Sequence, residues 1–239
     1  MIDTVLFDLD DTLVSEYAFV RSGYRHVAAL LAQRLGLAAD EIFAELTALL
    51  RESPDRVFNR LLRAHGAADD AAAVLPLVHA YRTHRPALSL YPDVLPALHR
   101  LRAAGLGLGI ITDGPADMQQ NKLDAVGADR LFDHILLTDR LGPGCSKPHP
   151  AAFERMREAF GTAFDRMVYV GDNPRKDFYI AKLLPIRTVR VLRRPAVYAD
   201  AAYLEGVREQ AAIASLTELW DTVAAMDAGA QPDKQGGKR

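Results

Sequence analysis

One cysteine, Cys145, is all that the 239 residues hold. That excludes an internal disulfide and a cysteine-rich metal site, and it fits a reducing compartment, so a cytoplasmic location is expected. No apolar run is long enough to cross a bilayer, and no basic, then apolar, then small-residue leader opens the chain, so a soluble protein is expected. Nor is charge of one sign in excess: 29 Lys and Arg stand against 31 Asp and Glu, a formal net charge of -2. Such a balance supplies no global field to draw in nucleic acid or an anionic membrane, and neither is expected as a partner. No internal repeat is present.

What is present is a 49% hydrophobic composition, enough to build a sizeable core in a chain of this length. Runs rich in Val, Ile and Leu recur at 4–9 (TVLFDL), 106–112 (LGLGIIT), 134–138 (HILLT), 167–171 (MVYVG) and 187–192 (RTVRVL). Helical segments are predicted between and after them, at 93–104, 116–126, 150–160, 175–184 and 215–226, with Pro150 suited to a first helical turn. Alternation of this kind implies an α/β fold, a Rossmann-like parallel sheet covered by helices.

The interval 15–88 has a different texture. Val20, Tyr24, Val27, Leu31 and Leu35 follow three- and four-residue steps, which makes one helix face apolar. Further helices are predicted at 39–51, 54–65 and 70–83, with 84–93 (HRPALSLYPD) as a return hinge. The organisation expected is a core of 1–14 and 89–227 interrupted by a helical bundle at 15–88, with a disordered tail at 228–239.

Asp8, Asp10 and Asp11 crowd into the end of the first strand, where like charges raise one another's proton affinity unless a cation or a proton lies between them. A lone acidic turn would be unremarkable. In a parallel α/β sheet, however, the carboxyl ends of the strands line the ligand crevice. Thr112 (ITDG), Lys147 (CSKPHP), and Asp172 with Asp177 (GDNPRKD) lie at or near the ends of the next three strands. The acidic turn therefore has distant polar partners.

This ordered set, spread over nearly the whole chain, resembles the haloacid dehalogenase superfamily in its phosphatase branch, with a helical cap inserted after the first strand. The resemblance implies a Mg²⁺-dependent phosphatase acting on a small soluble phosphomonoester such as a sugar phosphate or nucleotide. Asp8 would be the nucleophile that forms an aspartyl phosphate, and Asp10 the acid and then the base. Thr112 and Lys147 would hold the transferred oxygens, while Asp8, Asp172 and the backbone carbonyl of Asp10 would take the metal. The chemistry suits those residue types: a hard cation prefers oxygen ligands and screens an anionic nucleophile from an anionic ester. Asp177 is expected to orient Lys147 or a metal-bound water, with direct metal contact as the alternative.

Other residues near the motifs are read more plainly. Asp113 is a cap for the helix starting near Pro115, or a substrate or backbone contact; Asp11 is structural, and Cys145 a small loop residue with no base beside it. Arg175 and Lys176 are expected to be solvated helix residues. Arg21, Arg25, Arg56 and Arg60 are candidates for a second anionic group on the substrate, or ordinary surface residues. A phosphomutase on the same core remains an alternative. So does a phospho-accepting receiver-like domain, for which Asp139 would be the acceptor. A dehalogenase needs neither Mg²⁺ nor an acid at Asp10, and both Asp10 and Asp172 argue against it. The pattern of an exposed cap helix is also that of a dimer helix, so monomer and homodimer stay open.

Overall fold

A computed structural model of the chain describes residues 1–229; the expected disordered tail lies almost wholly outside the described residues. Six strands form one sheet: β1 (Thr4–Phe7), β2 (Gly107–Thr112), β3 (His134–Leu137), β4 (Met167–Gly171), β5 (Arg187–Val191) and β6 (Ala211–Ile213). Their order is β3-β2-β1-β4-β5-β6, and every neighbouring pair is parallel. The first five match the predicted runs. The sixth, a three-residue edge strand, is too short to show a period and was not expected.

Successive side chains along a strand face opposite ways, so each buried strand serves two cores. Val5 and Phe7 pack with Leu108, Ile110, Val168 and Val170 on one face of the sheet. Leu6, Ile111, Met167 and Tyr169 pack with Phe153 and Met156 on the other.

Helices α1 (Glu16–Leu35), α2 (Ala39–Glu52), α3 (Val57–Ala64) and α4 (Ala71–Thr83) occupy the interval after β1. The Ser15 side chain accepts from Ala18 N–H at the start of α1, and Gly36, at φ 64°, ends it in the left-handed conformation that glycine adopts without steric cost. Tyr24, Val27 and Leu31 bury against Ile42, Leu46 and Leu61, with Val20 and Leu35 packed beside them, so this segment has an apolar cluster of its own. Its two connections to the sheet run side by side: Val14 bridges Leu90 antiparallel, and Tyr91 N–H donates to the Leu13 carbonyl.

The remaining helices are α5 (Val94–Ala103), α6 (Ala116–Ala125), α7 (Ala151–Phe160), α8 (Ile180–Leu183) and α9 (Leu219–Gly229). The helix predicted at 175–184 is reduced to the four residues of α8. Before it, Lys176 and Asp177 N–H both donate to the Asn173 carbonyl, while Asp177 Oδ2 accepts from Asn173 N–H. That side chain closes a turn where a helix would have carried it outward. Among the described residues no helix is long and apolar enough to cross a membrane.

Candidate active site

Asp8 follows β1 directly, its N–H donating to the Val170 carbonyl of β4. Asp172 follows β4, and Asp177 is folded back over it by the turn just described. Gly171 permits that return, since a Cβ at this position would overlap the Asp177 carboxylate. Asp8, Asp172 and Asp177 are all buried, and each offers a carboxylate oxygen within 4.8 Å of the others.

Lys147, which is buried, joins two of the three. Its Nζ lies 2.6 Å from Asp8 and 2.9 Å from Asp177, and it donates to the Tyr169 hydroxyl at 2.6 Å. Burial opposes its charge, but Asp177 and Asp8 outweigh burial and hold it protonated. Asp172 has no such partner: its Oδ2 is a buried atom with no hydrogen-bond partner among the described residues. Burial, followed by the charges of Asp177, Asp8 and Asp11, pushes Asp172 up to about 9. Asp8 is pushed up to about 6, raised by burial and by Asp177 against the opposing pull of Lys147. An orphaned carboxylate oxygen, two acids with raised proton affinity and an all-oxygen donor set fit a hard divalent cation.

Asp10 stands on the other side of Asp8 in sequence and has its own holders. Lys122 of α6, fully buried, lies 2.7 Å from Asp10 Oδ1 and 2.7 Å from Glu16 Oε2. Gln119, one turn earlier, donates from Nε2 to Asp10 Oδ2 at 2.9 Å and also to the Thr112 hydroxyl. Burial raises Asp10, but the Lys122 charge and the bonds from Lys122 and Gln119 outweigh it and hold the acid below its usual range. Glu16 goes the other way, up to about 8, through burial and the charge of Asp10. Of the two acids that share Lys122, Glu16 therefore has the higher proton affinity.

Thr112 ends β2 fully buried, with its hydroxyl taken by Gln119. Asp113 caps nothing on α6. Asp139 does so, accepting from Ala116 N–H at 2.9 Å, because Asp113 is drawn into the site by Lys147 N–H, the Thr138 hydroxyl and Lys176 Nζ. Burial raises Asp113, but Lys147 and Lys176 more than offset it and bring it down to about 2. Lys176 is thus a paired residue on a turn, where a solvated helix position was expected. Asp11, at φ 50°, accepts from the N–H groups of Glu16 and Val197, which ties the start of α1 to the loop after β5.

A cavity of about 420 Å³ opens over Asp8, Asp10, Asp113 and Asp172. Thr112, Lys147 and Asp177 are buried and do not line it, whereas Glu16, Lys122, Asn173 and Lys176, none of them proposed from the sequence as site residues, do. Gln119 and Lys122 are three apart on α6, hence on one helix face, and that spacing was the only sequence signal for them. None of Arg21, Arg25, Arg56 and Arg60 lines the cavity. Arg21 and Arg25 lie over the Phe43 ring, and Arg60 donates to the Leu49, Ser53 and Asp55 carbonyls.

The pattern of the haloacid dehalogenase-like hydrolases matches residues 2–183. The chain belongs to that family. A glyceraldehyde 3-phosphate phosphatase of Methanopyrus kandleri is 34% identical over 200 residues, covering 81% of this chain and 85% of the relative. A phosphoglycolate phosphatase of Cereibacter sphaeroides is 31% identical over 174 residues, covering 71% and 76%. The crystal structure of a phosphatase of the same family from Thermococcus onnurineus superposes with a TM-score of 0.59 at 26% identity, covering 93% of this chain and 98% of that one. These relatives put the chain in the phosphatase branch of the family, among the phosphoric monoester hydrolases.

Proposed function

We propose that the protein is a Mg²⁺-dependent phosphatase that hydrolyses a small soluble phosphomonoester through an aspartyl phosphate on Asp8. The observation that carries this reading is the buried carboxylate trio with Asp172 Oδ2 unpartnered and Lys147 spanning Asp8 and Asp177. Asp8, Asp172 and the Asp10 carbonyl would hold the ion, with Asp177 orienting Lys147. Bound there, Mg²⁺ supplies positive charge between acidic side chains and an anionic ester.

Asp8 Oδ attacks phosphorus, forming the acyl phosphate bond as the ester P–O bond breaks. The departing oxygen takes a proton from Asp10. Water then loses a proton to Asp10, attacks phosphorus and frees orthophosphate together with the Asp8 carboxylate. As paired with Lys122 and Gln119, Asp10 is set up as the base; its acid step requires that it first take up a proton. Lys147, and Thr112 once its hydroxyl turns from Gln119, balance charge on the transferred oxygens. The segment 15–88 serves as a cap over the core of 1–14 and 89–227. Its separate apolar cluster and the presence of Val20, Leu50 and Pro54 in the cavity wall support that assignment. Action in the cytoplasm is consistent with the lone cysteine. The receiver reading loses support because the Asp139 carboxylate is committed to capping α6.

Rapid-quench kinetics with phenyl phosphate test the mechanism. Phosphate release should require Mg²⁺ and stop in excess chelator; full activity in chelator refutes the metal. Asp8→Asn should form no phosphoenzyme. Asp10→Asn should release one phenol per site in a burst and then stall with phosphate on Asp8, because a phenolate leaves without protonation while the hydrolytic water still needs a base. Phenol and phosphate released together, with no burst, refute that division of roles.

A further inference from the structure

The side chains that line the cavity over Asp8 include two unlike groups. One carries the acids: Asp8, Asp10, Asp11, Glu16, Asp113 and Asp172. The other is formed by Val20, Leu50 and Pro54 of the helical segment and by Met118 of α6. Tyr17, Val197 and Tyr198 also line the cavity and are all left exposed, Val197 by 61%. Tyr17 and Val197 continue into an adjoining recess of about 230 Å³ lined also by Pro195 and Ala196. Apolar side chains left facing solvent and contiguous with a reacting centre mark a surface that a ligand covers.

The cations of this cavity are already engaged. Lys122 is held by Asp10 and Glu16 at 2.7 Å each, and Lys176 by Asp113 at 2.9 Å. Arg21 and Arg25 line a different cavity, with Ser15 and Ser22. Arg56 lines a neighbouring one, together with Arg82, that shares Val20, Leu50 and Pro54 with this wall. A carboxylate on the leaving group of a small ester would give up its hydration against apolar side chains, near Glu16 and Asp10, with no free cation among the described residues that line the cavity to receive it. An uncharged body would instead gain by covering the same wall.

We propose that the wall formed by Val20, Leu50, Pro54 and Met118 is a leaving-group subsite for uncharged groups, so that the enzyme selects neutral phosphomonoesters and rejects their carboxylate counterparts. This rests on the phosphatase reading above. Among the substrates that name its relatives, it favours the chemistry of glyceraldehyde 3-phosphate over that of phosphoglycolate.

Two matched pairs test it, each assayed for phosphate release with Mg²⁺: glyceraldehyde 3-phosphate against 3-phosphoglycerate, and benzyl phosphate against 4-carboxybenzyl phosphate. Within a pair the phosphate and its nearest carbon are the same, so the ratio of kcat/KM reports the remote charge. The neutral member should be favoured by about 10²-fold or more in both pairs. Leu50→Lys, and separately Met118→Lys, should narrow the ratio about tenfold by placing a cation in the wall. Equal or faster turnover of the carboxylate members overturns the subsite while leaving the phosphatase reading intact. A wild-type preference that both lysine variants leave unchanged overturns the assignment to this wall. Phosphate from phenyl phosphate but from none of the four esters overturns the subsite and leaves the phosphatase reading intact; no phosphate from phenyl phosphate either overturns that reading, and the subsite with it.

Discussion

Replacing Asp172 by Asn should make the metal-free protein more stable while removing its response to Mg²⁺. Burial and the charges of Asp177, Asp8 and Asp11 raise Asp172 from 3.8 to about 9. Since the folded value lies above the unfolded one, the folded chain binds the extra proton between those limits, and this group's contribution to stability falls as pH rises through that window. At pH 7 the folded chain forgoes an ionisation that the unfolded chain makes over about three pH units, which at about 1.36 kcal/mol per unit is a cost of about 4 kcal/mol. Asn has the same shape and carries no such cost. Because Asp8 and Asp177 interact with Asp172 and relax with it, about half of that is recovered, a gain of about 2 kcal/mol. For a chain of this length that is a rise in Tm of roughly 4–8 °C. Scanning calorimetry in chelator at pH 7 measures it, and a repeat at pH 5 should show the gain shrinking toward zero. Adding Mg²⁺ should raise Tm of the wild type by mass action and leave the Asn variant where it was. An Asn variant no more stable than wild type in chelator at pH 7 would refute the account of Asp172 as an acid held neutral in wait for a cation.

Lys122→Met should cost stability, by about 3 kcal/mol in urea unfolding, because two carboxylates lose their buried counter-charge. Asp10 would then titrate higher, so the acid limb of the kcat profile should move up in pH; an unmoved limb would deny Lys122 any hold on Asp10. Gly171→Ala should cost about 1–3 kcal/mol and weaken Mg²⁺ binding, since the new Cβ meets the Asp177 carboxylate. Unchanged Mg²⁺ titration calorimetry would show that the position of Asp177 does not matter to the ion.

The centre of the sheet was readable because β1, β2 and β4 are buried and read as apolar-rich runs, with acids falling where the runs of β1 and β4 stop. Asp8 and Asp172 needed only that boundary. Lys122 offered no boundary: it sits inside α6 on a face that also carries Gln119, and a lysine at such a position is ordinarily solvated. What makes it a buried partner is the arrival of Asp10 and Glu16, more than 100 residues earlier in the chain. The same long-range pull explains Asp113, whose local sequence favours a helix cap until Lys176 takes its carboxylate, leaving the cap to Asp139. The turn at 173–177 reverses a helical reading for a related reason, since Asp177 spends its carboxylate on Asn173 N–H and on Lys147. In each case a charged side chain abandons the role its neighbours in sequence suggest for a partner of opposite charge brought up by the fold. The arginines of the helical segment make the opposite point. Arg25 stacks on Phe43 and Arg60 ties up three carbonyls, so positive charge that looked available for a substrate is used in holding the bundle together. Val20, Leu50 and Pro54 of this segment, and none of these arginines, line the cavity over Asp8.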